Sequence, residues 1–185
     1  ALLRQLDLTH EINWDWFILL VAKTGLRFSE ALALTPNDFD FSKQKLSINK
    51  TWNYKGTKGD FQPTKNESSK RTLQIDWQTA MQFSQLIKHM DADKPIFVKN
   101  RVFNSTINYR LKVLCTNANI PLITIHSLRH THASLLLFAG VSIASVATRL
   151  GHSSMTTTQE TYLHIIQELE NQDNEKIMKH LALLI

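Results

Sequence analysis

The 185-residue sequence predicts a mainly α-helical domain with one small antiparallel β-sheet inserted after its second helix. Two observations carry that reading. Apolar residues recur at helical spacing before residue 35 and again after residue 76. Between Phe39 and Asp76 they alternate with polar residues around Gly56, Gly59 and Pro63, the texture of short strands and exposed turns. With 5 Gly and 4 Pro there is little room for a flexible linker. We therefore expect one domain over 1–185, with a core of about 12–165 and a tail of 166–185.

Each element has a local cause. Trp14, Phe17, Ile18, Leu20 and Val21 share a helical period, and that helix stops around Thr24-Gly25. Ser29–Leu34 forms a second, short helix, ended at Thr35-Pro36 because proline forces the preceding residue out of helical geometry. Leu46, Ile48 and Trp52, then Thr72–Ile75, supply the strands. Helical spacing returns over Trp77–Met90, Asn104–Asn119, Ser127–Ala139, Ile143–Leu150 and Thr156–Gln167, with a last amphipathic stretch at Lys176–Ile185.

Composition narrows the function. The formal net charge is +5, a moderate basic excess that fits a polyanionic partner. It is unevenly placed. Lys43, Lys45, Lys50, Lys55, Lys58, Lys65, Lys70 and Arg71 meet only Asp60 and Glu67 in the sheet region. Glu160, Glu168, Glu170, Asp173 and Glu175 face no Lys or Arg between Gln159 and Glu175. Thin basic hairpins suit phosphate-backbone contact, although lysines also blunt exposed strand edges. The lone Cys115 excludes an internal disulfide framework and a multi-cysteine zinc module, suits a reducing compartment, and reads as a buried small apolar residue. No apolar run reaches the ~18–20 residues of a membrane span. The chain opens without Met, in polar sequence, as a fragment of something longer would.

Four separated segments carry types that suit phosphoryl transfer: Thr24-Gly25-Leu26-Arg27-Phe28-Ser29-Glu30; Pro63-Thr64-Lys65-Asn66 with Ser69-Lys70-Arg71; His126-Ser127-Leu128-Arg129-His130-Thr131-His132; and Leu150-Gly151-His152-Ser153-Ser154, with Tyr162 ten residues after His152. Breaking a phosphodiester without metal requires fixed cations for the non-bridging oxygens, and arginine binds two at once without deprotonating. It requires a nucleophile, which tyrosine supplies once its proton is removed. It requires a donor for the leaving oxygen, which lysine or histidine supplies. Two arginines, two histidines, a lysine and a tyrosine complete the set. No aspartate cluster suggests Mg²⁺ assistance.

In Gly-Leu-Arg-x-x-Glu, His-x-Leu-Arg-His-Thr, Leu-Gly-His-Ser and the following Tyr, the sequence resembles the tyrosine recombinase family of phage-type integrases, from about Trp14 to His164. The resemblance implies the DNA breaking-rejoining catalytic-domain fold. It implies that Arg27 and Arg129 clamp the scissile phosphate. Lys65 would be the general acid on the 5′-oxygen, His126 a general base toward the tyrosine, and His152 a phosphate contact. Tyr162 would be the nucleophile that forms a 3′-phosphotyrosine, and Glu30 a supporting acid. Lys58 and Lys70 stand near Lys65, and Lys58, Lys70 and Arg71 read as DNA-backbone contacts. His130 and His132 read as structural or surface residues, and Tyr54 and Tyr109 as structural. His126 and His130 lie at metal-ligand spacing, but no third ligand lies near them in sequence.

The resemblance further implies double-stranded DNA as the partner, no cofactor, no ATP and no metal. A homotetramer would act on two DNA sites, with accessory DNA-bending proteins, in the bacterial cytoplasm and on the nucleoid when active. The helical core-binding and arm-binding domains that usually precede this one are expected to be absent from the fragment. The apolar tail, with Ile177, Met178, Leu181, Leu183, Leu184 and Ile185, would dock on a neighbouring protomer or on its own core. Rival readings are a chromosome-resolving recombinase, a type IB topoisomerase-like enzyme, a non-catalytic DNA-binding module and a metal-dependent hydrolase.

Overall fold

A computed structural model describes residues 1–9, 11–56 and 58–183, the side chains of 170–172 and 175 excepted. Helix α1 spans Trp14–Thr24. The Asn13 side chain starts it by accepting from the amides of Asp15 and Trp16 at 2.9 and 3.2 Å. Trp16 to Val21 are all buried, so α1 is wrapped by the rest of the chain rather than lying on it. It ends where Gly25 turns left-handed, with φ 69°. A short α2 follows at Phe28–Leu32.

The strand region is two sheets rather than the expected one. Strands β1 (Phe39–Asp40), β2 (Lys45–Ile48) and β5 (Arg71–Gln74) form an antiparallel sheet in the order β1-β2-β5. Leu46 pairs with Leu73, and both are buried. Strands β3 (Lys50–Trp52) and β4 (Phe61–Pro63) form a separate ribbon in which Trp52 pairs with Phe61. Every residue of β4 is exposed. The alternation of apolar residues continues through Trp52, which is why sequence spacing alone joined the ribbon to the sheet.

Five helices complete the fold: α3 (Trp77–Leu86), α4 (Asn104–Asn117), α5 (Ile125–Phe138), α6 (Ile143–Leu150) and α7 (Met155–Thr161), followed by the long α8 (Leu163–Leu181). Side chains of Asp76, Thr124, Ser142 and Ser154 cap the starts of α3, α5, α6 and α7. The cap of α5 is thus Thr124, two residues before His126. Two expectations at the C-terminus change. The helix read through Tyr162 breaks there, at φ −115° and ψ 22°, so Tyr162 sits in the joint between α7 and α8. The separate last helix is the continuation of α8.

The main core gathers α1, the three-stranded sheet, α3 and α4, with Phe17, Phe83, Leu20 and Leu111 fully enclosed. Cys115 is buried within it. A second cluster holds Ala133, Leu137, Val146, Leu150, Tyr162 and Ile165. It fastens α6, the α7–α8 joint and the start of α8 onto α5, while α7 packs on α6 and α5 also packs on α1. The C-terminal elements thereby lie over the ends of α1 and α2.

Candidate functional site

The site is assembled on the C-terminal end of α6. A helix leaves its last carbonyls without partners inside the helix. Here three successive carbonyls each accept from a different arginine. Arg71 Nε donates to the Arg149 oxygen at 2.7 Å, and Arg129 Nη2 to Leu150 at 2.7 Å. Arg27 Nη2 donates to Gly151 at 3.0 Å. The negative end of the helix dipole favours cations at this position. Gly151 terminates the helix at φ 67°, and a Cβ there would lie 2.8 Å from Arg71 Nη1. Both the conformation and the space demand glycine.

Glu30 supplies the balancing charge. It is 1% exposed on α2. Its carboxylate accepts from Arg27 Nη1 at 2.7 Å and from Arg71 Nη1 and Nη2 at 3.1 and 3.0 Å. It also accepts the Arg27 backbone N–H at 2.9 Å. Burial alone would raise this carboxyl. The hydrogen bonds and charge of Arg71, then of Arg27, outweigh that and hold it below its ordinary 4.5. Glu30 is therefore ionised and orients two guanidinium groups.

Arg71 corrects the sequence reading. Read as a DNA-backbone contact, its side chain is 5% exposed and spends its donors on Glu30, Arg149 and the Ser69 carbonyl. Its position on β5, facing inward beside α6, makes it part of the scaffold. Lys70, one residue earlier, points outward and pairs with Glu67 at 2.8 Å.

Arg129, on α5, is 5% exposed and donates from Nη1 to the Gly25 carbonyl at 2.6 Å. Burial, then the charge of Arg27 and Arg71, pushes its guanidinium down to about 10, still cationic at neutral pH. Two of its five N–H donors are used on Gly25 and Leu150, leaving the others for a ligand. Arg27, Arg129 and His126 line one open cleft of about 370 Å³, together with Tyr54 and Asn104. Tyr54 stands edge-on to Phe28 at 4.9 Å between centroids, which fixes the cleft wall.

His152 follows Gly151. Its Nδ1 lies 2.8 Å from the Thr158 hydroxyl. Burial, then Arg129, Arg27 and Arg71, lowers it to about 4, so the ring is neutral. His132 is structural, as expected. It donates from Nδ1 to the Ala22 carbonyl at 3.0 Å and accepts from Arg149 Nε at 2.9 Å. A Cβ on Gly25 would lie 2.6 Å from its ring. Burial and the Arg149 charge lower it to about 4. Arg149, which sequence reasoning did not single out, also donates to the carbonyls of Gln74 and Lys23, and so ties α6 to β5 and α1.

Tyr162 is 3% exposed. Its hydroxyl lies 3.0 Å from His130 Nδ1, and His130 Nε2 lies 3.0 Å from His126 Nε2. Read as structural or at the surface, His130 is half-buried and joins the Tyr162 hydroxyl to His126, a contact that reading did not foresee. The signal was present in the four-residue spacing from His126, which puts both rings on one helix face. Burial raises the Tyr162 phenol, against a lowering by Arg129.

Lys65 stands apart. It is exposed in the turn after β4. Among the described residues no hydrogen bond or ion pair joins it to the arginines, histidines or Tyr162. Lys58 is likewise exposed, in the β3–β4 loop.

Comparison with known proteins places this geometry. The "Phage integrase family" model matches residues 1–168. The integrase of Staphylococcus phage L54a is 30% identical over 85% of this chain and 49% of its own length. Tyrosine recombinase XerA of Pyrococcus furiosus is 31% identical over 77% of this chain and 47% of its own. The chain thus spans about half the length of these curated relatives. Among solved structures, the XerA recombinase superposes with TM-score 0.69 over 93% of this chain and 61% of its own at 23% identity. The catalytic domain of bacteriophage HP1 integrase gives 0.56 over 89% and 82% at 22%. The Tn1549 transposon integrase gives 0.67 over 79% and 54% at 22%. The fold is that of a tyrosine recombinase catalytic domain, and the chain belongs to the phage integrase family.

Proposed function

We propose that this chain is the catalytic domain of a site-specific DNA recombinase, the integrase of a phage or other mobile element, which cuts and rejoins DNA through Tyr162. One observation carries the reading. Two arginines and a neutral histidine converge on the end of α6, with a buried tyrosine hydroxyl held by hydrogen bond at their side. The structure of the related Tn1549 integrase, solved in complex with circular intermediate DNA, supports duplex DNA as the partner.

The chemistry follows from the placement. Free N–H groups of Arg27 and Arg129 take the non-bridging oxygens of the scissile phosphate, whose charge grows in the transition state. Thr158 donates its hydroxyl proton to His152 Nδ1, which leaves an Nε2–H to donate to the same phosphate. Tyr162 attacks phosphorus, the bond to the 5′-oxygen breaks, and a 3′-phosphotyrosine conserves the bond energy. Lys65 protonates the departing oxygen once the ribbon closes on DNA. No metal or ATP takes part, because arginines supply the positive charge. Lys58 and Lys70 contact the DNA backbone.

Tetramer assembly on two DNA sites completes the proposal. The first turns of α8 pack on the chain's own second cluster through Ile165, Ile166 and Leu169. Farther along, Ile177, Met178, Leu181 and Leu183 are 52–79% exposed. Leu184 and Ile185 lie outside the described residues. This exposure favours docking on a neighbouring protomer.

A nicked suicide substrate tests the chemistry. Wild type forms a covalent protein–DNA adduct in the presence of EDTA, and Tyr162→Phe forms none. An adduct that persists in the Phe variant overturns the assignment.

A further inference from the structure

We infer that His130, rather than His126, takes the proton from Tyr162, and that His126 passes it on to solvent. The inference rests on the reading of Tyr162 as nucleophile and concerns how that residue is activated.

The geometry is a three-member chain. Tyr162 Oη and His130 Nδ1 are 3.0 Å apart. His130 Nε2 and His126 Nε2 are 3.0 Å apart. The two rings stand nearly perpendicular, with centroids 4.7 Å apart. In the structure the histidine that reaches the phenol is thus His130. Burial follows the same order. Tyr162 is buried, His130 is half-buried and His126 is exposed. A charge created at the phenol therefore has a stepwise path to water.

Tautomers decide whether the chain can work. Two Nε2 atoms at hydrogen-bond distance require one proton between them. When His130 holds it and donates to His126, its Nδ1 lone pair is free to accept the Tyr162 hydroxyl. The transfer then balances. The Tyr162 O–H bond breaks and an N–H forms at His130 Nδ1. The Nε2–H of His130 breaks and an N–H forms at His126 Nε2. His126 carries the positive charge at the surface and releases its Nδ1 proton to water. The phenolate is left to attack phosphorus.

The charged groups facing His130 fit an acceptor that stays neutral. His126 lies on its own helix, Arg129 precedes it, Tyr162 faces it from the α7–α8 joint, and His152 lies near. Burial, then the charges of His126 and Arg129, lowers His130 from its ordinary 6.5. An imidazole lowered in this way is unprotonated at neutral pH and ready to accept.

The test measures adduct formation by the intact protein on the nicked substrate across pH. His130→Gln removes the acceptor and slows cleavage at least ~100-fold, the ordinary worth of a general base. His130→Asn retains a hydrogen-bonding group near the Nδ1 position but cannot carry the proton, so it is as slow. His126→Gln slows cleavage less, because water reaches His130 in its place. Wild-type cleavage falls as pH drops below the ordinary histidine range, and this acid limb is lost in His130→Asn. Replacing Tyr162 by a more acidic fluorotyrosine recovers most of the loss in the His130 variants. Near-normal cleavage by His130→Asn means that His130 only positions the phenol, and the relay fails. A larger loss in His126→Gln than in His130→Gln makes His126 the direct base and also overturns it. Should His130→Gln not fold, as judged by its thermal transition, His130→Asn carries the same comparison. None of these results bears on whether Tyr162 is the nucleophile, which Tyr162→Phe decides by itself.

Discussion

The arginine scaffold at the end of α6 and the β3–β4 ribbon that leads to Lys65 hold their cations by opposite means. In the scaffold, Arg71, Arg129 and Arg27 are fixed by carbonyl oxygens and by Glu30. Arg71 is 5% exposed and Glu30 1%. In the ribbon, every residue of β4 is exposed, and Lys65 has no ion-pair partner among the described residues. Prepaid orientation suits groups that must meet a developing charge without moving. A long, solvated lysine becomes fixed only when its ligand arrives. On the proposed function, the site divides into a part built by folding and a part that DNA would complete.

The largest effect should come from breaking the scaffold. Glu30→Ala leaves Arg71 buried without its counter-charge and should cost about 3–5 kcal/mol, measured by urea unfolding. A cost below about 1 kcal/mol would mean that carbonyls alone hold Arg71, and the contrast would weaken.

Acid provides a second break. His132 is lowered to about 4 in the fold, against ~6.5 in an unfolded chain. Its folded form resists protonation, so stability is full above pH ~6.5 and lost as pH falls toward 4. The loss approaches ~3 kcal/mol. His152, lowered to about 4 as well, contributes to the same slope, so His132→Gln should reduce it without abolishing it in thermal melts between pH 7 and 4. Glu30, also held below its ordinary value, adds a loss in the same direction at still lower pH.

Gly151→Ala should cost about 1–3 kcal/mol, from its positive φ and the 2.8 Å approach to Arg71. Double-mutant analysis with Arg71→Ala should recover the steric share, which measures how tightly the scaffold is packed.

The ribbon should show the smallest change in stability. Lys65→Ala should alter unfolding by less than ~0.5 kcal/mol yet slow cleavage of ordinary DNA. A substrate whose 5′-leaving atom is sulfur, which departs without a proton, should restore the rate. If it does not, Lys65 acts as a contact and not as an acid.

Which parts were legible from sequence follows the same division. Helix ends at Gly25 and Gly151 are local events, coded by the residues that turn left-handed. Helix α6 was bounded correctly at Ile143–Leu150 for that reason. The four motifs named the arginines and Tyr162 because their spacing travels with the chain. What could not be read is what faces what. Arg71 sits beside Lys70 in sequence, and only the inward face of β5 separates a buried scaffold residue from a solvated one. Trp52 continues the alternation of Leu46 and Ile48, and only the pairing shows that it belongs to another sheet. His130 lay within a quoted motif, yet its role depends on where the α7–α8 joint sets Tyr162.

The three seats at Arg149, Leu150 and Gly151 are peptide oxygens, and every amino acid carries one. The grip itself uses no side-chain atom of 149 or 150, although Arg149 ties α6 to β5 and α1 and Leu150 is buried in the second cluster. Adding or deleting one residue in α6 is different. Each residue turns a helix by about 100°, so such a change would swing all three acceptors away together. An insertion or deletion in α6 should therefore unseat all three arginines at once.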